Sequence, residues 1–345
     1  MKVVFGPGSF DNIGAELDEL GASRVMIVAT PGRSSLTEKA KARLGAKIVA
    51  VFNQAVVHVP EETATAARAA AASSQADAIL ALGGGSAIGV AKAVALESRI
   101  SIVAVPTTYG GSEMTPIWGM TRNGKKETGR NPDVQPKLVI YDPDLTISLS
   151  PETTASSGLN AVAHCVEALY AVDANEESSD AALEGLRLLN ESLPLLALSP
   201  QEKIQRERAL MGAWRAGFAL ATVQMSLHHK LCHTLGGSFN LPHAETHAVL
   251  IPYTAAYNRD AAGEAMRRAA AAMSVEDAPT GILTLARSIP APKSLKEIGM
   301  RETDLPRAAE LAVEKPYPNP RKLDKESITL LLEAAYEGDD SYVTA

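Results

Sequence analysis

The chain has 345 residues, enough for two domains with separate cores, and its 46% hydrophobic and 21% charged composition is that of an ordinary globular protein. A net charge of −7 without a basic cluster argues against nucleic acid or a membrane surface as partner, and no apolar run approaches the roughly 18 residues of a bilayer span. The two cysteines, Cys165 and Cys232, are too few for a disulfide framework or a cysteine-based zinc site, and with no charged-then-apolar leader a cytoplasmic location is expected.

In chain order, a helical stretch at 9–20 is followed by the β-branched run RVMIVAT (24–30). Helix 34–44, strand 47–52, helix 62–75, strand 77–83, helix 86–97 and strands 101–106 and 137–142 continue the alternation. Strands that are nearly continuous apolar runs, separated by helices, predict a mostly parallel sheet covered on both faces. From Ser150-Pro151 onward the pattern is helical, with expected helices at 152–171, 176–193, 201–226, 228–236, 260–273 and 276–288. A β-branched run, AVLIPY (248–253), interrupts it. The expected architecture is an α/β dinucleotide-binding domain over 1–150 and an all-helical catalytic domain over 151–345, with the active site in the cleft between them.

Within the first domain, DAILALGGGSAIGVAK is a strand, a glycine turn and a helix in succession. Gly83, Gly84 and Gly85 let backbone N–H groups approach a pyrophosphate at the helix N-terminus, and Ser86 can cap the helix and offer its hydroxyl. The spacing is neither GxGxxG nor a P-loop, and a tight structural turn is the bland alternative. AVPTTYGGSE places Thr107 and Thr108 beyond the end of the next strand, where ligands of open α/β sheets bind. Two such loops on one sheet favour a dinucleotide. The first apolar strand ends VATPGRSS, with Thr30 and Arg33 and no carboxylate to repel a 2′-phosphate, so NADH and NADPH are both admissible.

Five of the seven histidines fall between His228 and His247, and a sixth is His164. Asn160 and His164 are four apart in one expected helix, and His229 and His233 four apart in another, so each pair shares a face. His243 follows Pro242 in what reads as a connecting segment, with His247 a turn further on. A lone histidine is usually a core or surface residue, but this gathering marks a site.

With GGGSAIGVAK, PTTYGGSE, GLNAVAHCVEA and HHKLCHTLGGSFNLPHAETHA in this order, the whole chain resembles the iron-containing alcohol dehydrogenase family, whose fold is similar to that of dehydroquinate synthase. The resemblance places the family's divalent metal on Asn160, His164, His229 and His243. Two departures stand out: Asn160 replaces the family's only anionic ligand, and Gly89 stands where the metal dehydrogenases commonly carry Asp. Three imidazoles can still bind zinc, so His164, His229 and His243 are the ligands if a metal is present. The departures resemble the branch of the family that reduces the conjugated C=C bond of maleylacetate to 3-oxoadipate with NADH or NADPH, in aromatic-compound degradation. A homodimer is implied by the same resemblance.

Conjugate reduction puts negative charge on a ketone oxygen as an enolate, which preorganised N–H donors stabilise without a metal. Asn160, His164 and His229 are the candidate donors, His243 is the candidate acid for the enolate carbon, and His233 completes the set. A dicarboxylate substrate also requires a cation, for which Lys230 is the leading choice, with His228 or a neighbouring histidine assisting. The alternative is an iron- or zinc-dependent dehydrogenase of a small alcohol or polyol.

Overall fold

The computed structural model describes residues 1–122 and 125–345. Contacts within the chain divide it into Met1–Ser148 and Leu149–Ala345, taken separately below.

The first unit contains strands β1 (Lys2–Phe5), β2 (Val25–Ala29), β3 (Ile48–Phe52), β4 (Ala78–Gly83), β5 (Ser101–Pro106), β6 (Ile117–Arg122), β7 (Lys125–Arg130) and β8 (Leu138–Tyr141). Its helices are α1 (Ile13–Glu19), α2 (Ser34–Leu44), α3 (Glu61–Ser73) and α4 (Gly85–Ser98). Six strands form one sheet in the order β1-β8-β5-β4-β2-β3, every pairing parallel. The central strands β2 and β4 are buried at every residue, which is why they read as unbroken apolar runs rather than alternating ones. Leu80, Leu82, Val103, Val105 and Ile140 form the core beneath α1 and α2 together with Phe10, Ile13 and Leu17.

Two elements of this unit are not evident from the sequence. Lys2–Phe5 is an edge strand on β8, too short to stand out as a periodic run. Strands β6 (Ile117–Arg122) and β7 (Lys125–Arg130) pair antiparallel, apart from the main sheet.

The second unit is helical: α5 (Pro151–Leu169), α6 (Glu176–Leu198), α7 (Lys203–Thr222), α8 (Leu227–Phe239), α9 (His243–Asn258), α10 (Gly263–Met273), α11 (Ala278–Ser288), α12 (Leu305–Val313), α13 (Lys325–Glu337) and α14 (Ser341–Thr344). Ser150 caps α5 by accepting from Thr153 N at 3.1 Å, with Pro151 at the first helical position. Asn175 and Ser178 form a reciprocal capping box on α6. The run 248–253 is helical, not extended, because it lies inside α9 and is buried on all sides. A short apolar run buried all round carries no period that separates helix from strand. The same helix begins at His243, so that histidine is the first residue of an element rather than part of a connection. None of the described helices is long and apolar enough to cross a membrane.

Candidate active site

In the first unit, three loops leave the carboxyl ends of neighbouring strands: Thr30 follows β2, Gly83 ends β4 and Thr107 follows β5. Gly83 has φ of 147°, a backbone conformation that L side chains rarely adopt. A Cβ on Gly84 would lie 2.6 Å from Thr108 Oγ1, so the glycine turn and the threonine loop touch at a point with no room for a side chain. Thr107 donates its N–H to Gly83 O at 3.3 Å, and its buried hydroxyl has no partner among the described residues. The expected serine cap is not formed. Gly84 is the N-cap, and Ser86 is the second residue of α4 and makes no capping bond. The first-turn N–H groups, including that of exposed Gly85, are therefore not occupied by a side-chain cap, which is what an anion at a helix N-terminus requires.

Lys92, an ordinary helix residue by sequence, stabilises this arrangement. Fully buried on α4, its ammonium donates to the carbonyl oxygens of Ser112 (2.7 Å), Thr115 (2.8 Å) and Ile117 (2.8 Å) and to Thr115 Oγ1 (2.9 Å). It thereby fixes the segment just beyond Thr108. Burial pushes Lys92 down to about 7, opposed by the nearby Glu113 carboxylate, and the four oxygen acceptors favour the charged form. A Cβ on Gly89 would meet Val59 at 2.8 Å, so an aspartate there would have to displace that side chain.

In the second unit, α5, α8 and α9 bring the histidines together. His164 Nδ1 and His229 Nε2 lie 2.9 Å apart, their rings stacked at 4.9 Å. His247 sits among them, its ring 5.0 Å from that of His229, 5.8 Å from His164 and 4.5 Å from His243. His233 stacks against His243 at 6.3 Å. Exposure grades across the cluster. His243 is exposed and His233 half-buried, His229 and His164 are 6% and 3% exposed, and His247 and His228 are fully buried. Asn160 is buried beside them on α5, and its amide oxygen has no hydrogen-bond partner among the described residues. Lys230 is half-buried on α8.

Two further residues belong to this site, Glu167 and Thr254, and His228, expected to assist Lys230, is instead fully buried with both ring nitrogens bonded inside the cluster. Glu167, one turn beyond His164 on α5, is fully buried, bonds His229 Nδ1, and accepts the His228 backbone N–H at 2.8 Å. A Glu three residues after a His in an expected buried helix was the available signal. Thr254 Oγ1 is 2.9 Å from His228 Nδ1, and His228 Nε2 is 2.9 Å from His247 Nδ1. The fully buried His247 Nε2 has no hydrogen-bond partner among the described residues. Two strings of hydrogen-bonded imidazoles thus run through the cluster, one anchored on a carboxyl and one on a hydroxyl. Burial holds His229 down to about 3 and His228 and His247 well below the usual histidine range. It also pushes Glu167 up to about 8, against the backbone N–H groups that favour its carboxylate.

These donors do not form a ligand sphere for the family's metal. The facing nitrogens of His164 and His229 lie 2.9 Å apart, within hydrogen-bonding distance of each other, and Asn160 supplies no charge. Among the described residues, the trio whose ligand atoms converge within 4.8 Å is His228, Cys232 and His247, rather than His164, His229 and His243. Even that trio is already bonded within itself and to Thr254, and burial pushes the Cys232 thiol up, which keeps its proton on. Only the Glu167 contact to His229, a carboxylate orienting an imidazole, matches what metal-binding histidines usually have.

Known proteins place the chain. The family model described as "Fe-containing alcohol dehydrogenase family, C-terminal" matches residues 154–336, and the one described as "Iron-containing alcohol dehydrogenase" matches 1–143. The chain is 48% identical over 337 residues to a maleylacetate reductase of Burkholderia cepacia, covering 98% of this chain and 96% of that one. A maleylacetate reductase of Sphingobium indicum is 47% identical with the same coverage. The crystal structure of maleylacetate reductase from Agrobacterium tumefaciens superposes with a TM-score of 0.93 at 45% identity, over 98% of this chain and 96% of that one. The chain belongs to the iron-containing alcohol dehydrogenase family.

Proposed function

We propose that the chain reduces the conjugated C=C bond of maleylacetate to 3-oxoadipate, using NADH or NADPH and no metal. The observation that carries this reading is the imidazole cluster itself: Asn160 and His164 beside a Glu167-anchored His229, with no anionic metal ligand among them. Full-length similarity to proteins named maleylacetate reductase supports it. In this reading the first unit holds the nucleotide and the second unit the keto diacid. The nucleotide, when bound, supplies the hydride that adds to the β-carbon of the enone.

Within the chain, Asn160 and His164 polarise the ketone and stabilise the enolate oxygen, and His229, bonded to both Glu167 and His164, holds the His164 ring. The Asn160 amide presents its N–H₂ to that oxygen after a half-turn about its terminal bond. His243, exposed and so open to reprotonation by solvent, delivers the proton to the enolate carbon. Lys230 offsets one carboxylate, and His233 holds His243 by stacking. Thr30, Gly83, Gly84, Gly85, Ser86, Thr107 and Thr108 hold the nucleotide. A homodimer in the cytoplasm belongs to the same reading.

The test is absorbance at 340 nm with maleylacetate, run beside elemental analysis of the same preparation. Consumption of NADH or NADPH with 3-oxoadipate as product is expected, and no turnover of maleylacetate would refute the proposal. The second reading, a metal-dependent alcohol dehydrogenase, is favoured by one observation, the Glu167 contact that orients His229. It requires alcohol oxidation with NAD that tracks iron or zinc content.

A further inference from the structure

The segment joining α12 to α13 borders a cavity of about 320 Å³, lined among others by Lys315, Tyr317, Asn319, Arg321 and Lys322. Every charged residue in that lining is a cation, in a chain whose net charge is −7. Among the described residues Lys315 and Lys322 form no ion pair, whereas Lys325 and Arg307 nearby are both matched to Glu310. Arg321 lies over the Tyr257 ring at 4.2 Å and reaches Ser327 Oγ at 3.3 Å. The Tyr317 hydroxyl is inside the protein with no partner among the described residues, and burial pushes its pKa up, so it remains an O–H donor.

The cavity wall is held in place. Asn258 and Asn319 exchange two amide bonds, of 2.8 and 3.2 Å, and the Tyr257 hydroxyl donates to Lys322 O at 2.8 Å. Val313, Tyr317 and Leu323 pack on the same core as Leu227 and Leu231, which flank His229 and Lys230 on α8. Tyr317 also feels the charge of Glu167, the carboxyl bonded to His229. The cavity therefore shares a core with the helix that carries the candidate catalytic residues.

The geometry points to this cavity as a carboxylate subsite, in which Lys315, Lys322 and the Tyr317 hydroxyl bind one carboxylate of a small dicarboxylate. The inference rests on and deepens the maleylacetate reading. A diacid carries two anionic ends, Lys230 offsets one, and an anion without a partner is costly to remove from water. A free dicarboxylate presents the same chemistry, and the experiment separates the two sources.

The variants are Lys315→Ala/Lys322→Ala, its charge-preserving counterpart Lys315→Arg/Lys322→Arg, and Tyr317→Phe. Both lysines are exposed, so the substitutions leave the core intact. Two quantities are measured: KM for maleylacetate and for NADH, and the thermal midpoint with succinate against chloride at equal ionic strength. For the intact enzyme, succinate is expected to raise the midpoint beyond the chloride control. The double alanine variant should lose that rise, and its KM for maleylacetate should increase at least tenfold, with KM for NADH unchanged and kcat within threefold. The arginine pair should retain most of both effects, and Tyr317→Phe should raise KM by a smaller factor. Loss of the succinate effect with KM unchanged would assign the cavity to a free dicarboxylate instead of the substrate. Wild-type behaviour of the double alanine variant in both measurements would overturn the subsite. The succinate measurement needs no turnover, so it decides the subsite even if maleylacetate proves not to be the substrate.

Discussion

The two units build their candidate sites from different parts of the chain. In the first, the backbone does the work: a left-handed Gly83, a Gly84 pressed against Thr108, and a helix start with no side-chain cap. In the second, side chains do it, through rings bonded nitrogen to nitrogen and anchored on Glu167 and Thr254. A backbone site fails when a side chain is added, because the space is already used. A side-chain site fails when one is removed, because each ring is oriented by the next.

The largest effect should therefore come from taking a group out of the second unit. His243→Ala should lower kcat/KM for maleylacetate by about a hundredfold, the scale of a lost general acid. Steady-state kinetics with near-normal kcat/KM would remove His243 from the mechanism. Next, Gly84→Ala adds a Cβ where only 2.6 Å is free, and KM for NADH should rise by about tenfold or more. Little change in NADH affinity by fluorescence titration would show that the glycine turn is structural only. Lys230→Ala should raise KM for maleylacetate by about tenfold while leaving NADH binding intact, as expected for the loss of one charge pair. An unaltered KM would assign the first carboxylate to another cation.

These contrasts explain what could be read from the sequence. The parallel sheet was legible because fully buried strands leave continuous apolar runs, and Gly83, Gly84 and Gly85 mark a turn by composition alone. The edge strand Lys2–Phe5 and the strand Ile117–Arg122 left no such mark, since neither buries a face fully. In the second unit the spacing of Asn160, His164, His229 and His233 fixed shared helical faces. Their partners depend on how three helices pack, and the roles of Glu167, His228, His247 and Thr254 appear only there. Ser86 was expected to cap α4, but the helix starts two residues earlier than that role requires, and Gly84 takes the position. Lys92 looks like an ordinary helix residue until four oxygen atoms from residues 112–117 close around it.

A smaller effect concerns stability, and it also divides along the same lines. His228, His229 and His247 are kept neutral by burial in the folded chain, with His229 at about 3, while unfolded histidines take up protons near pH 6.5. Below pH 6.5 the unfolded chain thus binds more protons, and stability is lost as the pH falls toward 3. Glu167 acts in the opposite sense. With its folded value raised to about 8, its contribution is fully present below about pH 4.5 and is lost as the pH rises through 8. Three groups against one predict a thermal midpoint that falls between pH 6.5 and 4.5, measured by calorimetry. A midpoint that is flat or rising over that interval would mean the histidines are not held neutral.

The claim on which the rest depends is that imidazoles and an amide polarise the ketone without a coordinated cation. The direct measurement is maleylacetate turnover after exhaustive chelation and gel filtration, with iron and zinc content determined on the same sample. The account predicts that most of the activity survives at negligible metal content. Activity that vanishes and returns only on addition of Fe²⁺ or Zn²⁺ would contradict it.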